Sequence, residues 1–158
     1  WRETVLHTQE VEAVFRKHMQ AVVDPLFSAF ARGYYLQPED WFRMLDCLEV
    51  FPCGEDQMNA WDRAWAWQAS AMSQVNELTS PRCVELVFVE FLEALARIVA
   101  LIHSRAAAKD TKESWDYGLG TASPSTIFCL AKGVNDKLLF RDLLEDFLTG
   151  AQVKKALP

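Results

Sequence analysis

The chain is poor in the residues that usually mark chemistry. It has three histidines in 158 residues, a net charge of −6, and four cysteines with no C-x-x-C spacing. Without a basic stripe to neutralise phosphates, a nucleic-acid reader is excluded. Cys47, Cys53, Cys83 and Cys129 stand far apart with no histidine pair nearby, so they read as reduced thiols rather than metal ligands. No glycine-rich loop opens a helix, and neither G-x-S-x-G nor H-E-x-x-H occurs. The scattered histidines assemble into no triad, so no catalytic residue, no cofactor and no enzyme activity are expected. The longest apolar run is broken by Glu90, Glu93 and Arg97, so no segment reads as membrane-spanning and membrane insertion is not expected. No signal peptide is visible and the chain begins at Trp1, which reads as a piece of a longer cytoplasmic protein.

What remains is a soluble globular composition, 51% hydrophobic and 24% charged, with a helical pattern from the start. Val11, Phe15, His18, Met19, Val22 and Val23 fall near one face of a helix over 8–23. His18 there is a boundary residue rather than a ligand. Asp24-Pro25 predicts a break and a new short helix up to Gly33. Pro38 begins a helix through Trp41, Met44, Leu45 and Leu48. After Cys53-Gly54 a further helix starts at Glu55-Asp56 and carries Met58, Trp61, Trp65, Ala69 and Met72 on one side, with Trp67 on the other.

The stretch from Leu86 to Ile102 is β-branched and aromatic at first, then helical. Phe91, Leu92, Leu95, Ile98, Val99 and Ile102 form one apolar stripe. Residues 109–125 read as the longest loop. Ser123-Pro124 can open a short helix ending at Gly133. A last helix then carries Leu138, Leu139, Leu143, Leu144, Phe147 and Leu148 up to Gly150. That face is too apolar to stand in water, so it should dock on the preceding helices.

A short apolar segment running into a helix, with Glu90 at the junction and Phe91 after it, resembles the exit half of an EF-hand. Leu86 takes the apolar loop position 8 and Glu90 the closing acid. The segment Gly33–Trp41 is similar, with Leu36 apolar, Asp40 closing, Trp41 following, and Phe27 and Phe30 as the preceding aromatics. The resemblance implies an all-α fold: paired EF-hand-like helix–loop–helix motifs over 1–110, a short two-stranded bridge between the loops at Leu36 and Leu86, and extra C-terminal helices over 111–158 on the same core. It also implies protein binding, as in EF-hand-like modules of ciliary, flagellar and protist cytoskeletal proteins, and a cytoskeletal or ciliary location.

Calcium is not implied. The first loop is two residues short, with Ala31, Gly33 and Tyr35 at its ligand positions; the second has Thr79, Pro81, Cys83, Val84 and Val87 at its positions. Asp40 and Glu90 are the remnants of degenerate loops, and no metal is expected. The expected job is a calcium-independent interaction module or scaffold. The alternative is a calcium-responsive, light-chain-like switch that binds an amphipathic helix. In either case the partner is a protein helix or a helix of the same chain, received in a groove lined by Met58, Trp61, Trp65, Phe91 and Leu95.

Overall fold

The computed structural model describes residues 2–48, 60–71, 85–110 and 137–157. Every regular element among them is helical, and among these residues no helix is long and apolar enough to cross a membrane. An N-terminal π-helical turn, Arg2–Leu6, buries Val5 and Leu6 and leads into α1, Gln9–His18. Helix α1 turns Val11, Val14 and Phe15 inward, at the spacing of a single helical face.

The chain does not break at Asp24-Pro25. Met19–Val23 forms a second π-helical turn, in which the Asp24 N–H donates to Met19 O, and the path continues as α2, Asp24–Phe30. Proline has no N–H, and its ring presses on the carbonyl four residues back. A widened turn accommodates both defects without ending the helix.

Helix α2 ends at Phe30, and Gly33, at φ 71°, reverses the chain. Arg32 and Tyr35 pair across this turn, the Arg32 N–H donating to Tyr35 O at 2.8 Å. Helix α3, Pro38–Cys47, buries Trp41, Met44 and Leu45. Helix α4, Ala60–Ser70, packs along the long α5, Phe88–Asp110. Trp67 is buried, with its ring tilted at 6.2 Å from Trp41. Trp41 Nε1–H donates to Arg63 O at 3.2 Å, which fixes α3 against α4.

The last helices are α6, Lys137–Thr149, and α7, Ala151–Ala156. Helix α6 lies against α1 and α5 and touches the N-terminal turn. Its inward residues are Phe140, Leu144, Phe147 and Leu148, and Val153 of α7 joins the same core. The expected Leu-rich face is corrected in one respect: Leu138 and Leu139 are exposed and Phe140 is fully buried. At 100° per residue, Leu138 and Leu139 stand roughly 135° and 125° away from the direction shared by Phe140, Leu144, Phe147 and Leu148. The expected helix opening at Ser123-Pro124, the loop after residue 110, Cys53, Cys83 and Cys129 lie outside the described residues.

Candidate functional site

Two loop-to-helix junctions meet in the middle of the molecule. The Leu36 N–H donates to Leu86 O and the Leu86 N–H to Leu36 O, both at 2.9 Å, and both side chains are fully buried. This antiparallel bridge is a single residue pair; neither segment is a strand. Gln37 Nε2–H donates to Glu85 Oε1 at 2.6 Å alongside it. Two residues after each leucine a helix begins, at Pro38 and at Phe88. Each helix carries an acid in its first turn, followed at once by a fully buried aromatic: Asp40 then Trp41, and Glu90 then Phe91. Phe27 of α2 closes the other side of the pair, with its ring 5.2 Å from both Phe88 and Phe91.

Both acids are buried, at 3% exposure each, and each is met by the protein's own groups. Glu90 Oε2 accepts the Val87 N–H at 2.8 Å, the reach-back bond of a carboxylate in the third helical position. One N–H left over by the helix start is thereby satisfied, and the carboxylate sits at the positive end of the helix dipole. Asp40 is held differently. Arg32 Nε lies 2.8 Å from its Oδ2 and Arg43 Nη2 3.0 Å from its Oδ1. Oδ2 accepts no hydrogen bond, so its contact with Arg32 is ionic rather than directional.

These residues do not fit a calcium ion, which needs six to eight oxygens around one point. At Asp40 two guanidinium groups occupy the space beside the carboxylate. At Glu90 the carboxylate is turned onto its own backbone. Among the described residues, no three His, Cys, Asp or Glu side chains gather into a metal-holding group. The early positions of the second loop, Thr79 to Val84, lie outside those residues.

The expected partner groove is not open where it is described. Phe91 and Leu95 are fully buried in the core, so neither can line a groove in this conformation. Trp65 is half-buried beneath the Arg97 guanidinium, 5.4 Å from its ring centre. Met58 and the side chain of Trp61 lie outside the described residues. Arg97 also donates to Glu93 Oε1, the atom that accepts Arg2 Nε–H at 2.7 Å. A second Arg2 N–H reaches Ala69 O at 3.0 Å, so one guanidinium ties the N-terminal turn, α4 and α5 together.

An open apolar cleft lies on the face of α5 turned away from Phe91 and Leu95. A cleft of about 350 Å³ runs between α1 and the start of α5, floored by Leu6, Phe15, Met19, Val89 and Leu92. The Glu12–Arg16 ion pair forms part of its rim. Sequence reasoning placed Phe15 and Met19 on a buried face and Leu92 on the core stripe; nothing in the spacing shows that the helices part there. Arg32 and Arg43 were missed as well. Arg43 stands three residues after Asp40, a spacing that puts the two on one helical face. The approach of Arg32 depends on the reversal at Gly33.

Glu145 links α6 to α1. Lys17 Nζ donates to its Oε1, and His18 Nε2 lies 2.9 Å from the same atom. The Lys17 hydrogen bond, and then the His18 bond, hold the Glu145 carboxyl below the usual carboxylate range.

Comparison with family models, curated proteins and solved structures finds no match for this chain.

Proposed function

We propose that the chain is a calcium-independent, EF-hand-like interaction module, a scaffold element whose helix angles are set by packing. The observation that carries this reading is the pair of matched junctions. Leu36 meets Leu86, and the acid that closes each junction is neutralised or bonded by the protein itself. In a calcium sensor the metal moves a helix pair between closed and open states. Here the closing acid of one junction faces two arginines and that of the other accepts a backbone N–H, which supports a metal-free angle. Its place in a larger cytoskeletal or ciliary protein rests on the sequence resemblance alone.

The C-terminal helix supports the scaffold reading. Fully burying Phe140, Leu144, Phe147 and Leu148 is worth on the order of 2 kcal/mol each. These residues share one core with Phe91 and Leu95, so α6 packs as a part of that core rather than as a latch a partner displaces. The cleft between α1 and α5 is a surface that could receive a protein helix, which would enter with apolar side chains one turn apart.

The test is calcium titration to millimolar levels, followed by tryptophan fluorescence and the thermal midpoint. Neither should move. A saturable shift at micromolar calcium would favour the light-chain-like switch and end the scaffold reading.

A further inference from the structure

We infer that Arg32 and Arg43 are the resident cations of the first junction, supplying from within the chain the positive charge that a metal ion supplies in a loaded loop. This rests on the paired-junction reading above and adds how the buried acid of one of the two loops is tolerated without a metal. Asp40 is 3% exposed, and a carboxylate so buried is costly unless its charge is met. It is met from two directions. Arg43 comes from the same helix, one turn on, and its guanidinium also lies 5.5 Å from the centre of the Phe30 ring at the end of α2. Arg32 comes from the far side of the turn, where the left-handed Gly33 brings it back over α3.

The carboxylate thus ties the turn to the helix. The residue that pairs with Arg32, Tyr35, is directly followed by Leu36, whose backbone pairs with Leu86. An unmet charge on Asp40 would therefore be felt at the bridge. At the second junction, Glu90 accepts the Val87 N–H.

The cluster is asymmetric, and that makes it testable. The arginine side chains are 71% and 62% exposed, whereas the Asp40 side chain is 4% exposed. Without Asp40, both arginines can turn to water. Without the arginines, Asp40 keeps a buried charge with nothing to meet it. Three variants of the full chain separate charge from packing: Arg32→Gln with Arg43→Gln, Asp40→Asn alone, and all three together.

Thermal midpoints are measured along with hydrogen exchange at the Leu36 and Leu86 amides. The double arginine variant should melt about 10 °C below the parent, and the two amides should exchange at least about tenfold faster. Asp40→Asn alone should change little. Adding it to the arginine variant should restore most of the midpoint and the protection. If the arginine variant does not fold, the triple variant decides on its own: a folded, near-parental protein supports the inference, and an unfolded one overturns it. An arginine variant that melts like the parent also overturns it. So does a triple variant as weak as the double, since the arginines would then act through packing alone. Calcium sensitivity of the unmodified chain sinks the scaffold reading instead, so the two failures are distinct.

Discussion

The two junctions share a register and differ in what satisfies it. Leu36 and Leu86 pair, Asp40 and Glu90 stand in the first turns of α3 and α5, and Trp41 and Phe91 follow as fully buried aromatics. Yet the first acid is met by two guanidinium groups, whereas the second accepts a backbone N–H. Side-chain length contributes to the difference. Glutamate can fold back onto the N–H three residues before it, a reach that suits its extra methylene. The shorter aspartate has no such bond shown and is met by partners that come to it. A junction can thus keep its backbone geometry while the chemistry that stabilises it changes from directed hydrogen bonding to charge.

The strongest way to break this comparison is to remove the aromatics. Phe91→Ala should cost roughly 3–5 kcal/mol in chemical denaturation, because Phe91 packs on Phe27 and Phe88 with no exposed surface. Trp41→Ala should cost at least as much, since it also removes the bond from its indole to Arg63 O. If one substitution costs less than about 1 kcal/mol and the other several, the two positions are not equivalent.

A smaller change separates the two acids. Glu90→Ala removes the reach-back bond to Val87 and should cost about 1 kcal/mol, in the range of lost helix caps. Glu90→Gln keeps an oxygen able to accept that bond and should cost about half as much. Equal losses for the two variants would mean that the charge of Glu90, and not its bond, holds the second junction, which would erase the contrast with Asp40.

Much of this arrangement could be read from the residues. The change from a β-branched, aromatic segment to a helical stripe at Glu90 located the start of α5, and Asp40-Trp41 after Pro38 located that of α3. The stripe residues Phe91, Leu95 and Ile98 are fully buried. What could not be read depends on how helices approach one another. Phe91 and Leu95 were candidates for a groove, but apolar spacing cannot distinguish a core face from a groove floor. The continuous path through Pro25 depended on a π-turn, which leaves no mark on the hydrophobic period. Phe140 was passed over for Leu138 and Leu139 because a run of apolar residues hides which one lies on the buried face. The Arg32–Asp40 contact joins residues on opposite sides of a turn, and only the conformation of Gly33 brings them together.

The smallest predicted effect provides a scale for the buried Asp40 cluster. Glu145 also faces two basic side chains, but its own side chain is 28% exposed and that of Lys17 is 66% exposed. Water and salt screen such a pair, so Glu145→Gln should cost under about 1 kcal/mol at neutral pH. Its carboxyl is held below the ordinary value of 4.5, first by the Lys17 hydrogen bond and then by that of His18. A lowered folded value means that the folded state favours the charged form. The contribution is therefore complete above the ordinary carboxylate range and is lost as pH falls through the lowered value. The stability difference between the parent and Glu145→Gln should accordingly shrink toward zero as pH falls below about 5. Chemical denaturation across that range, at two salt concentrations, measures it. A difference that grows as pH falls would reverse the sign of the assignment. One as large as the loss in the Arg32→Gln, Arg43→Gln variant would mean that burial does not set Asp40 apart from an exposed pair.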